Sequence, residues 1–190
     1  MSYATSQAMQ RRLFTVNDYH QMVVAGILSE DDRVELLNGE VVEMSPVSPS
    51  HVSVVNRLCR VFSRRCDDDV IVSIQNPIQL NEHWAPQPDL ALLRARPDFY
   101  SLTLAQPEEV LLVVEVASSS AEKDRMVKEP AYANAGIVEY WIVNVPQDVI
   151  EVFTQPASGG YKTIKQVKRG EKLSPLLLST VTLRAEELLG

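Results

Sequence analysis

Between residues 110 and 117 the chain reads VLLVVEVA, an apolar run broken by one carboxylate, Glu115. A run of this length reads as a strand buried on both faces. Further core strands are expected at about 70–80 (VIVSIQNPIQL), 89–93 (DLALL) and 137–145 (IVEYWIVNV). Helical spacing marks other segments. Val54, Val55, Leu58, Val61 and Phe62 predict a helix from His51 to about Arg65. A shorter helix is expected at 15–25, begun by Thr15 and stopped by Gly26. A third should span roughly 120–135, opened by Ser119 or Ser120 and closed by Gly136. Pro130 must kink or divide it, because proline removes a helix hydrogen bond.

Turn chemistry supplies the connections. Asn38-Gly39 within RVELLNGEVVEM (33–44) predicts a type I′ hairpin, with Leu37 opposite Glu40 and Glu35 opposite Val42. A second hairpin is expected from 149–154 with 161–167, and a last helical turn at 184–189. Residues 1–12 read as a flexible tail and 13–190 as a single domain. The central order is helix, three strands, helix, strand. It predicts an α/β (α+β) architecture: a mixed sheet flanked by helices, with an N-terminal helix and hairpin and a C-terminal hairpin added.

Composition narrows the classes. Hydrophobic residues at 45% and charged residues at 23% are ordinary for a globular protein. No apolar stretch approaches the roughly 20 residues of a membrane span, and the N-terminal segment has no apolar signal core. Cys59 and Cys66 lie seven apart in a helical segment, roughly 10 Å, too far for a disulfide. A cytoplasmic location is therefore expected. The net charge of −7 means that any nucleic-acid contact must come from a local basic face.

The chemistry starts with Glu115, since burying an ionised group costs several kcal/mol unless it is paired or metal-bound. Asp89 follows Pro88 at the head of the preceding strand, where its period-two face includes Ala91 and Leu93. If the two strands pair, the two carboxylates can meet, and they repel unless a cation lies between them. Oxygen-only ligands describe a Mg²⁺ site, with Mn²⁺ as a substitute. For either residue alone, Asp89 capping a turn or Glu115 pairing with a core arginine is the better reading. For the pair, in this order and with a lysine downstream, the metal site is.

Proline-aspartate heading one strand, then Glu115-Val116-Ala117 in the next, resembles the PD-(D/E)xK nuclease signature. More narrowly, the series DRVELLNGEVVEMSP, SPSHVSVVNRL, QPDLALL, VVEVASSS and DRMVKEPAYANAGIVEYWIV resembles the Uma-two family, over about residues 12–188. The resemblance implies a restriction-endonuclease-like core and Asp89 and Glu115 as metal ligands, with the Val116 carbonyl beside them. The generic signature places lysine where Ala117 stands. The nearest substitute is Lys128, which shares a helix face with Asp124 and Tyr132. An exposed Asp124–Lys128 ion pair is the bland reading of that spacing. The resemblance favours the functional one, with Lys128 as a catalytic residue and Asp124 and Tyr132 as accessory ones.

Glu35 and His51 are accessory candidates. Glu35 falls on the apolar face of its hairpin, although a solvated strand end would also explain it. His51 lies near a helical apolar stripe, where a capping or core role is commoner than ligation. Arg57, Arg60 and Arg64 form one helix side suited to nucleic-acid phosphates. Lys162, Lys165, Lys168 and Arg169 read as a solvated face. The expected function is a Mg²⁺-dependent endonuclease acting on nucleic acid, DNA first, as a homodimer. Two alternatives stay open: a catalytically inactive nucleic-acid-binding or protein-interaction module of the same fold, and a carboxylate hydrolase of glycosidase type, which would need no metal.

Overall fold

Thr15 starts the first helix through a reciprocal cap: its hydroxyl accepts the Asp18 N–H at 3.0 Å, and Asp18 accepts the Thr15 N–H at 2.9 Å. In this computed structural model, which describes residues 11–29, 31–118 and 121–190, that helix is α1 (Val16–Val24). Strands β1 (Val34–Leu37) and β2 (Glu40–Glu43) form the expected hairpin, with Glu35 opposite Val42 and Leu37 opposite Glu40. Asn38 and Gly39 take positive φ of 50° and 73° at its turn. Helix α2 (Pro49–Arg65) begins with proline in its first turn and Ser48 as its cap, whose hydroxyl accepts the His51 N–H at 3.2 Å.

The main sheet has six strands: β3 (Val70–Ile74), β4 (Leu90–Arg94), β5 (Val110–Ala117), β6 (Glu139–Asn144), β7 (Val149–Ala157) and β8 (Gly160–Lys168). They lie in chain order, antiparallel except for the parallel β5–β6 pair. A parallel neighbour needs a crossover, and residues 121–134 supply it as α3 (Ala121–Lys123), a wide π turn (Asp124–Lys128) and α4 (Glu129–Asn134). Pro130 divides this helix as its chemistry requires. It sits in the first turn of α4, and the wider turn before it accommodates the lost hydrogen bond. The helix start at Ser119 or Ser120 lies outside the described residues. A short ribbon, β9 (Lys172–Leu173) with β10 (Leu183–Arg184), and helix α5 (Ala185–Leu189) complete the chain.

Helices cover both faces of the sheet, which is why all eight residues of β5 are buried. Leu112, Val114 and Val116 pack with Leu58 and Phe62 of α2 on one face. Val113 and Ala117 pack with Tyr132 and Ile137 on the other. Alternation then puts Glu115 on the α4 face.

Two expectations need correction. The strand expected over 70–80 stops at Ile74, because Gln75 turns into the left-handed region at φ 51° and Pro77 follows. The strand expected from Asp89 begins at Leu90, so Asp89 stands just outside it, at the sheet's end. Cys59 and Cys66 are free thiols, as their spacing requires. No helix among the described residues is long and apolar enough to cross a membrane.

Candidate active site

Three backbone segments end at one cleft: the last residues of β5, the turn before β4, and the capped start of α2. Asp89 is fixed there from two sides. Its Oδ2 accepts the Val116 N–H at 2.8 Å, and its Oδ1 lies 2.9 Å from His51 Nε2 and 3.3 Å from Gln75 Nε2. Hydrogen bonding to Asp89 raises the proton affinity of His51 against the opposing effect of burial, and the Val116 carbonyl beside the ring adds to the rise.

Glu115 lies one residue from Val116 and points to the other face of the strand. Its Oε1 accepts from Lys128 Nζ and from the Tyr132 hydroxyl, both at 3.0 Å. Asp124, Lys128 and Tyr132 are all buried, which overturns the exposed ion pair suggested by their spacing. Their common face is turned inward by the packing of Tyr132 against Tyr140, with ring centres 5.0 Å apart. Burial pushes the Glu115 carboxyl up to about 8, against the pull of the Lys128 ammonium, while Asp124, Asp89 and Glu35 push it further. Burial works against the charge on Lys128, and Glu115, Glu35 and Asp124 more than reverse that effect, so the ammonium is held above its ordinary value.

Glu35 belongs to the same cluster. Its side chain is 1% exposed, so it does not sit at a solvated strand end. Oε2 lies 3.0 Å from Lys128 Nζ and accepts the Gln87 N–H at 3.2 Å, and Oε1 lies 3.5 Å from Lys123 Nζ. Arg33, Glu35, His51, Asp89, Glu115 and Lys128 all line the one cleft.

Lys123, Gln87, Gln75 and Arg33 were not singled out from the sequence. Gln87 carried a local signal, since it stands two residues before Asp89 in PQPD. Gln75 carried none, because its reach to Asp89 depends on a left-handed turn that ends β3.

Two carboxylates and the Val116 carbonyl are hard oxygen donors of the kind a divalent cation takes. Among the described residues, no three Asp, Glu, His or Cys side chains already converge as a cage for an ion. Arg57, Arg60 and Arg64 are exposed and line a separate groove with Arg65, Glu186 and Glu187. They lie six to thirteen residues beyond His51 on α2, roughly 9–20 Å along its axis. The row therefore leads away from the cleft. Arg65 is held by Glu187 and by the Thr182 carbonyl at 2.9 Å. Lys162, Lys165 and Lys168 are exposed on β8, and Arg169 pairs with Asp148.

No curated protein matches the chain. Among solved structures, a crystal structure described as "a putative nuclease belonging to DUF820 from Anabaena variabilis ATCC 29413" matches with a TM-score of 0.64 at 13% identity. The match covers 93% of this chain and 97% of that one; at that identity it shows a common fold. Residues 16–186 match the model of the Uma2 family, described as "Putative restriction endonuclease". That span contains the hairpin, Asp89, Glu115 and Lys128, and the chain belongs to the Uma2 family.

Proposed function

We propose that the protein is a Mg²⁺-dependent endonuclease that hydrolyses phosphodiester bonds of DNA, with Asp89, Glu115 and the Val116 carbonyl as ligands and Lys128 assisting. The observation that carries this reading is the buried Lys128 ammonium 3.0 Å from Glu115. It supplies, from the helix, the cation that Ala117 cannot supply from the strand. When bound, the metal supplies an activated water and neutralises charge on the scissile phosphate. Lys128 then stabilises the negative charge that develops on the phosphate. His51 and Tyr132 hold Asp89 and Glu115 in place through their hydrogen bonds. The arginine row on α2 engages backbone phosphates, which need charge rather than base readout. A cytoplasmic homodimer, bringing one cleft to each strand, completes the proposal.

Supercoiled plasmid tests it. Nicking and linearisation should require Mg²⁺ or Mn²⁺, stop with chelator, and disappear in Asp89→Asn. Cleavage that persists in chelator would overturn the metal mechanism. Ala117 in the motif's lysine position also favours a second reading, a non-cleaving nucleic-acid-binding module. Metal-stimulated DNA binding without turnover would select it.

A further inference from the structure

One counter-ion would neutralise Lys128, yet the fold supplies a second from a separate sheet. Glu35 sits in the β1–β2 hairpin, outside the six-stranded sheet that carries Glu115. The hairpin is pinned to the segment that leads into Asp89. Leu36 and Ala85 exchange backbone hydrogen bonds, the Ala85 N–H donating at 2.9 Å, and the Gly39 N–H donates to the His83 carbonyl at 2.8 Å. Glu35 is thus carried on backbone whose position is set relative to Asp89. Its Oε2 is further fixed by the Gln87 N–H.

Lys128, by contrast, is a long flexible side chain on a wide helical turn next to a proline. A lysine held by Glu115 alone could pivot about that one contact. A second carboxylate from an independent element removes this freedom and fixes the ammonium relative to both strands of the site. Glu35 also lies 3.5 Å from Lys123 Nζ, whose side chain is 35% exposed at the cleft. One buried acid therefore orients two ammonium groups, one inside the cleft and one at its mouth.

We propose that Glu35 is the positioning residue for Lys128, aiming its ammonium into the cleft beside Glu115 rather than serving as a third metal ligand. The inference rests on the proposed role of Lys128 in phosphodiester hydrolysis, and the two stand or fall on different measurements.

The first measurement needs no activity. Lysine side-chain ¹⁵N NMR on the full metal-free chain should show a slowly exchanging Lys128 ammonium, assigned by its loss in Lys128→Met. Glu35→Gln should broaden it or abolish its protection. Glu35→Asp, which keeps the charge but shortens the reach by one methylene, should do the same while circular dichroism confirms the fold. An ammonium signal unchanged in both variants overturns the inference, whether or not the wild type cuts DNA.

The second measurement uses turnover and calorimetry. Glu35→Gln should lower kcat by about 10²-fold, the scale of a misplaced group, with KM for plasmid and Mn²⁺ affinity each changed less than about threefold. A loss of Mn²⁺ affinity matching that of Asp89→Asn would make Glu35 a ligand and overturn its positioning role. If the wild type shows no turnover with metal, the nuclease reading fails and NMR alone decides the place of Glu35.

Discussion

His51 Nε2 stands 2.9 Å from Asp89 Oδ1 across 38 positions of chain. The contact joins the capped start of α2 to the turn before β4, and so links the only helix among the described residues that exceeds four turns to a candidate ligand. Replacing His51 by alanine strips that buried oxygen of its closest donor, leaving Gln75 at 3.3 Å. The loss should lower stability by about 1–3 kcal/mol, read as a shift in urea midpoint with an unchanged slope. A variant as stable as the wild type would mean that the contact contributes nothing.

Lys128 makes a steeper prediction than an exposed lysine would. Lys128→Ala leaves Glu115 and Glu35 buried without their shared cation, so the metal-free protein should lose about 3–5 kcal/mol. Mg²⁺ should restore part of that loss, since a ligand bound only by the folded state stabilises it. At saturating metal, turnover should still fall by about 10²–10³, the usual effect of removing one transition-state stabiliser. Turnover at the wild-type rate would remove Lys128 from the mechanism.

The arginine groove predicts a salt effect that does not depend on sequence. Each of Arg57, Arg60 and Arg64 that touches a phosphate contributes about 0.9 to the slope of log K against log salt for duplex DNA. The triple alanine variant should flatten that slope by about 2–3 units on any duplex. Filter binding at several salt concentrations measures it. An unchanged slope would return the row to the role of a solvated helix face.

Glu139 gives the pH prediction. Its carboxylate accepts the Trp141 Nε1–H at 2.7 Å and the Leu176 N–H at 2.5 Å, while burial, outweighing both bonds, holds its carboxyl above the ordinary value of 4.5. A raised folded value means that the protonated form is favoured in the native state. Its contribution to stability is therefore complete below about 4.5 and is lost as pH rises through the folded value. The stability gap between wild type and Glu139→Gln should shift against the wild type across that window. Parallel stability curves from urea melts between about pH 4 and 7 would contradict the assignment.

Much of this arrangement was legible in local pattern. The apolar run around Glu115 and the Asn38-Gly39 turn depend on neighbours in sequence and lie where that pattern puts them. The four-residue spacing of Asp124, Lys128 and Tyr132 put them on one helix face, but that this face is buried rather than exposed comes from its packing on the sheet. The burial of Glu35 was half legible: hairpin register put it on the apolar face, but a solvated strand end explained that position equally well. The burial itself comes from the hairpin docking on residues 83–87, a contact between distant segments that no periodicity encodes. The same holds for Lys123, whose place at the cleft follows from which way a proline-divided helix turns. The arginine row was visible as a helix side, but its direction away from the cleft depends on where α2 crosses the sheet.

The central claim is that Asp89 and Glu115 hold one divalent cation. The most direct measurement is an anomalous-scattering map from Mn²⁺-soaked crystals of the wild type and of Asp89→Asn. The account predicts a single strong peak bound by both carboxylates in the wild type and its loss in the variant. A wild-type map with no peak at these two residues, or a peak equally strong in Asp89→Asn, would contradict it.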